Sequence, residues 1–309
     1  MPIHLSTPSR RTFLTQLGGA VVCAPALHAA EAARVDADRI AILNDTHIAA
    51  GHTANAPIPT HLRETVAWLV AQERRPSAVV INGDLALSNG RPGDYAHFAR
   101  LIAPLREAGM PVHLTLGNHD DREVFYQVLQ AEKAAEPPVV SRHVGVVTLP
   151  RANLFLLDSL KTVGQGAEAR VVAQGLLGAE QLAWLGRLLD AHTDKPALVF
   201  AHHNPRLGGG ELHYPGGLED SEPLWELLAS RPQVKAYIHG HIHDRSHYQH
   251  RGIHILNTPA TSYVSKQSTS TTGWTMAQLA DQGADFTTLT HEQAHAWNGK
   301  VEKVAWRVG

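Results

Sequence analysis

The chain has 309 residues, 43% hydrophobic and 18% charged, with a formal net charge of −2 and one cysteine. A chain of this length buries most of its unfolded surface and needs no disulfide staples, and a lone Cys23 could supply none. The near-neutral balance gives no electrostatic basis for gripping a nucleic acid backbone, so no nucleic acid polymer is expected as a partner.

Residues 1–32 read as a cleavable export leader. Ser9-Arg10-Arg11-Thr12-Phe13-Leu14 resembles the twin-arginine consensus, and Leu17 to Leu27 is an uncharged run of small and apolar residues. Ala30-Glu31-Ala32 places small residues at the −3 and −1 positions for cleavage before Ala33, with Ala24-Pro25-Ala26 as a second option. The apolar run falls short of the ~20 residues a membrane span requires, so no stable membrane anchor is expected. Val22 stands where lipoprotein processing wants Gly, Ala or Ser, which argues against a lipid on Cys23. The expectation is a periplasmic or secreted protein, delivered folded by the twin-arginine machinery, with residues 33–309 as its mature domain.

Beyond the leader, Ile40–Leu43 reads as a strand ending at Asn44-Asp45. Leu62, Val66, Leu69 and Val70 fall at helical spacing, and Ala78–Ile81 is the next strand, ending at Asn82-Gly83-Asp84. Pro92 suits a first helical turn, with Tyr95, Phe98, Ala99, Ile102 and Leu105 on one face and Gly109 as the stop. Val112–Leu116 then runs into Gly117-Asn118-His119-Asp120, and a third helix is predicted near Glu123–Leu129. Val139–Leu149 and Leu154–Leu157 read as a β-hairpin ending at Asp158-Ser159, followed by a helix over Gly178–Leu189. Leu198–Ala201 is a strand leading into His202-His203, Pro223–Leu228 a short helix, and Val234–Ile238 a strand ending before Gly240-His241. Arg245–His250, Ile253–Leu256, Trp274–Leu279 and Phe286–Leu289 predict an all-β finish. Pro205–Gly217 and Ser268–Thr272 read as loops, the first carrying His213 and Tyr214 as candidate substrate contacts. The pattern supports one α/β domain with a β-rich C-terminal half.

Five short patches carry chemistry, each directly after a strand-like run: Asp45-Thr46-His47, Gly83-Asp84, Gly117-Asn118-His119-Asp120, His202-His203-Asn204-Pro205 and Gly240-His241-Ile242-His243. In an open α/β sheet the carboxyl ends of the strands share one edge, so residues remote in sequence converge there. Strand alternation would send Asp45 and His47 to the same side. Asn118 is an uncommon metal ligand, and the His241–His243 pair can chelate one ion or bracket two. His202 and His203 face opposite ways on an extended chain, so only one of them reaches an ion. The donors are oxygen and imidazole nitrogen without sulfur, a set suited to borderline-hard divalent cations rather than a structural zinc. Of the 21 histidines, only those inside the patches support this argument.

In order and residue type the patches match the calcineurin-like metallophosphoesterases, which the chain resembles from about Arg39 to about Pro259. The resemblance implies a four-layer α/β architecture, two β-sheets packed as a sandwich and flanked by helices, in a single domain. It also implies two divalent cations (iron, manganese or zinc), one held by Asp45, His47, Asp84 and His243. The other would be held by Asp84, Asn118, His202 and His241, so that Asp84 bridges. Two such cations ~3.5–4 Å apart polarise a bridging water for in-line attack on a phosphoester, and neutral His and Asn ligands keep the site net positive. His119 is implied to lie over the phosphate as a non-ligand that donates a proton or hydrogen bond. Asp120 either orients His119 or closes the turn; Asp158 is either outer support for a ligand imidazole or a plain turn carboxylate, and His203 is a further candidate for outer support.

Departures from other branches narrow the resemblance. Leu87 and Ser88 stand where Ser/Thr protein phosphatases carry Asp and Arg, and Leu87 also replaces the tyrosine ligand of purple acid phosphatases. Gly83-Asp84 followed by Gly90-X-Pro92-X-X-Tyr95, together with His202-His203-Asn204-Pro205, resembles the class III cyclic-nucleotide and glycerophosphodiester phosphodiesterases. The activity this implies is hydrolysis of a small phosphodiester. A phosphomonoesterase of the same fold and a non-catalytic metal-binding scaffold are the alternatives.

Overall fold

The computed structural model describes residues 33–207, 216–264 and 268–308. The predicted leader and the candidate contacts His213 and Tyr214 lie outside the described residues. Strand β1 (Arg34–Leu43) opens a first sheet and is followed by α1 (Pro57–Val70), β2 (Arg74–Asn82), α2 (Pro92–Glu107), β3 (Val112–Thr115) and α3 (Arg122–Val128). The hairpin β4 (Gly145–Thr148) and β5 (Asn153–Leu156) starts a second sheet, and a minor ribbon pairs β6 (Thr162–Val163) with β7 (Arg170–Val171). Then come α4 (Ala179–Ala191), β8 (Ala197–Phe200), α5 (Ser221–Ala229), β9 (Val234–His239), β10 (Ser246–His250) and β11 (Ile253–Asn257). The chain returns to the first sheet with β12 (Gly273–Ala280), β13 (Gly283–Thr290) and β14 (Val301–Ala305).

Each sheet has six strands, in the orders β14-β13-β12-β1-β2-β3 and β10-β11-β9-β8-β5-β4. Alternation along the buried strands builds the layers. Ala41, Leu43, Val79 and Ile81 point to one side and meet Leu62, Val66 and Leu69 of α1 and Phe98, Ile102 and Leu105 of α2. Their neighbours Ile40, Ile42, Ala78 and Val80 point to the other side and meet Leu154, Leu198, Phe200, Ala236 and Ile238 of the second sheet. Phe155, Val199 and Tyr237 on the far face of that sheet pack on Trp184 and Leu185 of α4 and Leu224, Trp225 and Leu228 of α5. Strands buried on both faces read as continuous apolar runs, as β1, β2, β8 and β9 do. The result is helix, sheet, sheet, helix: a four-layer sandwich in a single domain.

Three details differ from the sequence reading. The hairpin begins at Gly145 rather than Val139, because Ser141 takes a left-handed φ of 55° and the chain here is tied to the next turn. The His143 amide donates to Asp158 Oδ2 at 2.8 Å and Arg142 Nη1 to the Leu160 carbonyl at 2.9 Å. β14 was not anticipated, since within it only Val304 is buried and the alternation is too weak to read. Finally, the patches do not share the edge of one sheet. β1, β2 and β3 run parallel in the first sheet and β5, β8, β9 and β11 in the second, so the carboxyl ends of two facing sheets meet at one end of the sandwich. Among the described residues no helix is long and apolar enough to cross a membrane.

Candidate metal centre

The site residues occupy the turns that leave these parallel strands. Asp45, His47, Asp84, His241 and His243 have φ of 50°, 48°, 50°, 70° and 50°. A non-glycine residue held in the left-handed region costs about 1–3 kcal/mol, and such strain concentrates at functional sites. Left-handed turns beyond the end of β1, not strand alternation, therefore bring Asp45 and His47 together. Two glycines permit the close approach. Gly83 has a φ of 80° and a side chain there would run into the His202 ring, while one at Gly117 would strike Asp84 Oδ1.

Two groups of donors result, with the donor atoms of each lying within 4.8 Å of one another: Asp45, His47, Asp84 and His243, and Asp84, His202 and His241. Asp84 belongs to both. In the first, His47 Nε2 is 3.1 Å from His243 Nε2, His243 Nε2 is 3.2 Å from Asp45 Oδ1, and His47 Nε2 is 3.7 Å from Asp84 Oδ2. In the second, His202 Nε2 is 3.2 Å from Asp84 Oδ2. Donors ~2.0–2.1 Å from a common zinc-sized ion stand roughly 3.0–3.4 Å apart, so the closest of these spacings fit coordination without rearrangement. Asn118 follows Gly117 beside Asp84 and His202, and its Oδ1 is buried with no hydrogen-bond partner among the described residues.

The carboxylates are anchored by backbone. Asp84 Oδ1 accepts from the His119 amide at 2.8 Å, and Asp45 accepts from the His241 amide at 3.2–3.3 Å. Burial works against both charges, yet the surrounding imidazoles, His243 and His202 foremost, hold both acids below the usual carboxylate range. The reciprocal effect lifts His202 to about 9 against its burial, through Asp84 first and Asp45 second, and raises His243 through Asp45. Burial holds His47 at about 4 and His241 at about 3, so these rings stay neutral with lone pairs available. Two buried carboxylates thus demand positive charge, and a divalent cation supplies it while taking the imidazole lone pairs. The donor set fits a divalent metal centre.

The remaining candidates divide. The His119 ring stands edge-on to His47, centroids 4.9 Å apart, with Nδ1 buried and without a hydrogen-bond partner among the described residues. Asp120 closes the turn rather than orienting His119. It accepts from the Leu85, Ala86 and Gly117 amides at 2.9–3.2 Å and from Tyr95 Oη at 3.1 Å. Burial and the neighbouring Asp84 push its carboxyl up to about 7. His203 belongs to neither donor group: its Nδ1 pairs with Ser159 Oγ at 2.7 Å and its ring packs 4.6 Å from that of His241. Asp158 supports no imidazole through its described bonds. It forms a buried pair with Arg122 at 2.6 Å and accepts from the His143 and Leu160 amides.

Some contributors escaped the sequence reading. Tyr95, assigned there to a helix face, also accepts from the Asp121 amide at 2.7 Å, so the start of α2 supports the His119 turn; the Gly90-X-Pro92-X-X-Tyr95 spacing is its signal. Asp94, in the same first turn, accepts from the Ala50 amide at 2.7 Å and steadies the chain after His47. Tyr263, on the loop after β11, lies 5.4 Å from His47 and 5.5 Å from His243 by ring centroid, and no local pattern announces it.

Comparison with known proteins agrees with this geometry. A sequence profile of the calcineurin-like phosphoesterases matches residues 38–245. The chain is 29% identical over 274 residues to the 3',5'-cyclic adenosine monophosphate phosphodiesterase CpdA of Pseudomonas aeruginosa, covering 86% of this chain and 88% of that one. It is 30% identical over 200 residues to the glycerophosphodiester phosphodiesterase GpdQ of Enterobacter lignolyticus, covering 64% and 67%. A dimetal phosphatase from Danio rerio shares the fold at 16% identity, with a TM-score of 0.67 over 87% of this chain and 99% of that one. Strand-end donors in two groups sharing one carboxylate, on a four-layer sandwich matched over most of its length, lead to one assignment: the chain belongs to the calcineurin-like phosphoesterase family.

Proposed function

We propose that the protein is an exported phosphodiesterase acting on small phosphodiesters through two divalent metal ions. The observation that carries this is the single carboxylate, Asp84, common to two donor groups. Asp45, His47, Asp84 and His243 would hold one ion and Asp84, Asn118, His202 and His241 the other. Bound there, divalent cations supply Lewis acidity toward phosphoryl oxygens and activate water at neutral pH. The protein's part is to fix the donors, which the His119 and His241 amides do for the two carboxylates, and to present His119 beside the cluster for proton donation to the leaving oxygen. The diester preference is supported by the residue types at Leu87, Ser88 and Gly90–Tyr95 and by the relatives named above.

Protein purified from its own host is expected to contain two transition-metal ions per chain. It should lose activity to chelators and cleave bis(p-nitrophenyl) phosphate faster than p-nitrophenyl phosphate. No more than one ion in active protein would overturn the binuclear reading. Faster monoester cleavage would make the protein a phosphomonoesterase, and a fully metallated protein that cleaves neither ester would be a scaffold.

Export is proposed on the Ser9–Leu14 and Leu17–Leu27 signals. Replacing Arg10 and Arg11 together by lysine should hold uncleaved precursor in the cytoplasm. Undiminished periplasmic accumulation of that variant would refute the twin-arginine route.

A further inference from the structure

Among the described residues, the rim of the metal centre carries one aromatic side chain that neither the donor set nor the proton donor explains. Most of the cluster is sealed, with Asp45, His47, Asp84 and His202 no more than 2% exposed. Partial exposure belongs to Asn118, His119 and His243, and beside them Tyr263 is 38% exposed. A phosphoester entering on this exposed side meets Tyr263. Tyr263 projects from between buried neighbours in its loop, Thr261 at 0%, Ser262 at 2% and Val264 at 9%. That loop is pinned to the residue preceding Asp45: the Thr261 amide donates to the Asn44 carbonyl at 2.7 Å, the Asn44 amide donates to Thr261 Oγ1 at 3.2 Å, and Asn44 Nδ2 also bonds Thr258. From α1, His61 Nδ1 lies 3.3 Å from the Ser262 carbonyl. The tyrosine is therefore held in place, and its ring meets His47 at 72° and His243 at 90°.

Every phosphoester carries a phosphoryl oxygen to which a phenol hydroxyl can donate, so discrimination between them falls to the tyrosine ring. What it offers is a preorganised aromatic surface next to the reacting group, with little ordering cost on binding. We propose that Tyr263 selects the organic group of the substrate, favouring phosphoesters that bear a nucleobase over those that bear a glycerol-type group. This rests on the phosphoesterase reading of the centre and narrows its substrate class. Stacking of a base on an aromatic side chain is worth about 1–3 kcal/mol, or roughly 5- to 150-fold in affinity.

The test compares the metal-loaded wild type with Tyr263→Phe and Tyr263→Ala, measuring binding of adenosine 5′-monophosphate and of glycerol 3-phosphate by calorimetry, with metal content determined for each. The expected result is tighter nucleotide binding by the wild type, retained in the Phe variant. In the Ala variant it should fall by about 5- to 100-fold, with a much smaller loss for glycerol phosphate. Equal losses for both ligands, or loss of metal in the Ala variant, would show that Tyr263 orients His47 and His243 instead. A Phe variant as weak as Ala would place the effect in the hydroxyl and overturn the stacking proposal. Hydrolysis of the two nitrophenyl esters by the same wild-type preparation reads the diesterase assignment separately: monoester cleavage alone removes that assignment while the nucleotide comparison still decides the role of Tyr263.

Discussion

Asp84→Ala is expected to abolish hydrolysis and to leave the protein with at most one metal ion per chain. Its Oδ2 lies 3.7 Å from His47 Nε2 and 3.2 Å from His202 Nε2, so a single truncation removes a donor from both groups. Altering an outer partner of a metal ligand typically costs 10–100-fold in metal affinity, and losing a shared ligand should exceed ~100-fold. Asp84→Asn separates shape from charge. It keeps an acceptor for the His119 amide but leaves the imidazoles of both groups with one anion fewer, so it too should load metal poorly. Elemental analysis after dialysis against a fixed free-metal concentration checks both variants. Two ions retained by Asp84→Ala would remove the carboxylate from the bridging role.

His119→Ala should behave in the opposite way, lowering turnover by about 10²–10⁴-fold while metal content stays at the wild-type level. The structural reason is that His119 reaches Asp84 through its backbone amide, which alanine retains, whereas its ring makes an edge contact to His47 and leaves Nδ1 without a protein partner among the described residues. Asp120 does not hold the ring, since its described hydrogen bonds go to amides and to Tyr95. On the proposed reading this imidazole serves the leaving oxygen. The loss should therefore be greatest for alkoxide leaving groups, which need a proton, and least for nitrophenolate, which departs unaided. Metal loss in this variant, or equal slowing of both leaving groups, would make His119 a ligand or a phosphate clamp.

Local periodicity accounts for what could be read from the sequence alone. The runs Ile40–Leu43, Ala78–Ile81, Leu198–Ala201 and Val234–Ile238 are continuous because those strands are buried on both faces, and a continuous run declares itself without knowledge of its neighbours. Pro92 with the Tyr95–Leu105 face, and the polar patches immediately after the strands, are equally local. These local features carry the α/β class, the family resemblance and the polar positions at which the donors stand.

The partition of the strands into two sheets, and the meeting of both carboxyl edges at one centre, depend on contacts far apart in sequence, such as β1 with β12 and β8 with β9. Left-handed turns at Asp45 and His47 take the place of the alternation that the sequence suggests, because those residues lie just past the strand where the ladder no longer dictates direction. Asp158 was open between two roles until the fold set it against Arg122, across 36 positions of chain, and His203 until it met Ser159. Tyr263 had no signal at all. It is an isolated aromatic in a loop, and only the return of that loop to Asn44 places it against His47 and His243. Periodicity records how a segment is buried; which segments face one another is settled by packing, and the centre is made where they meet.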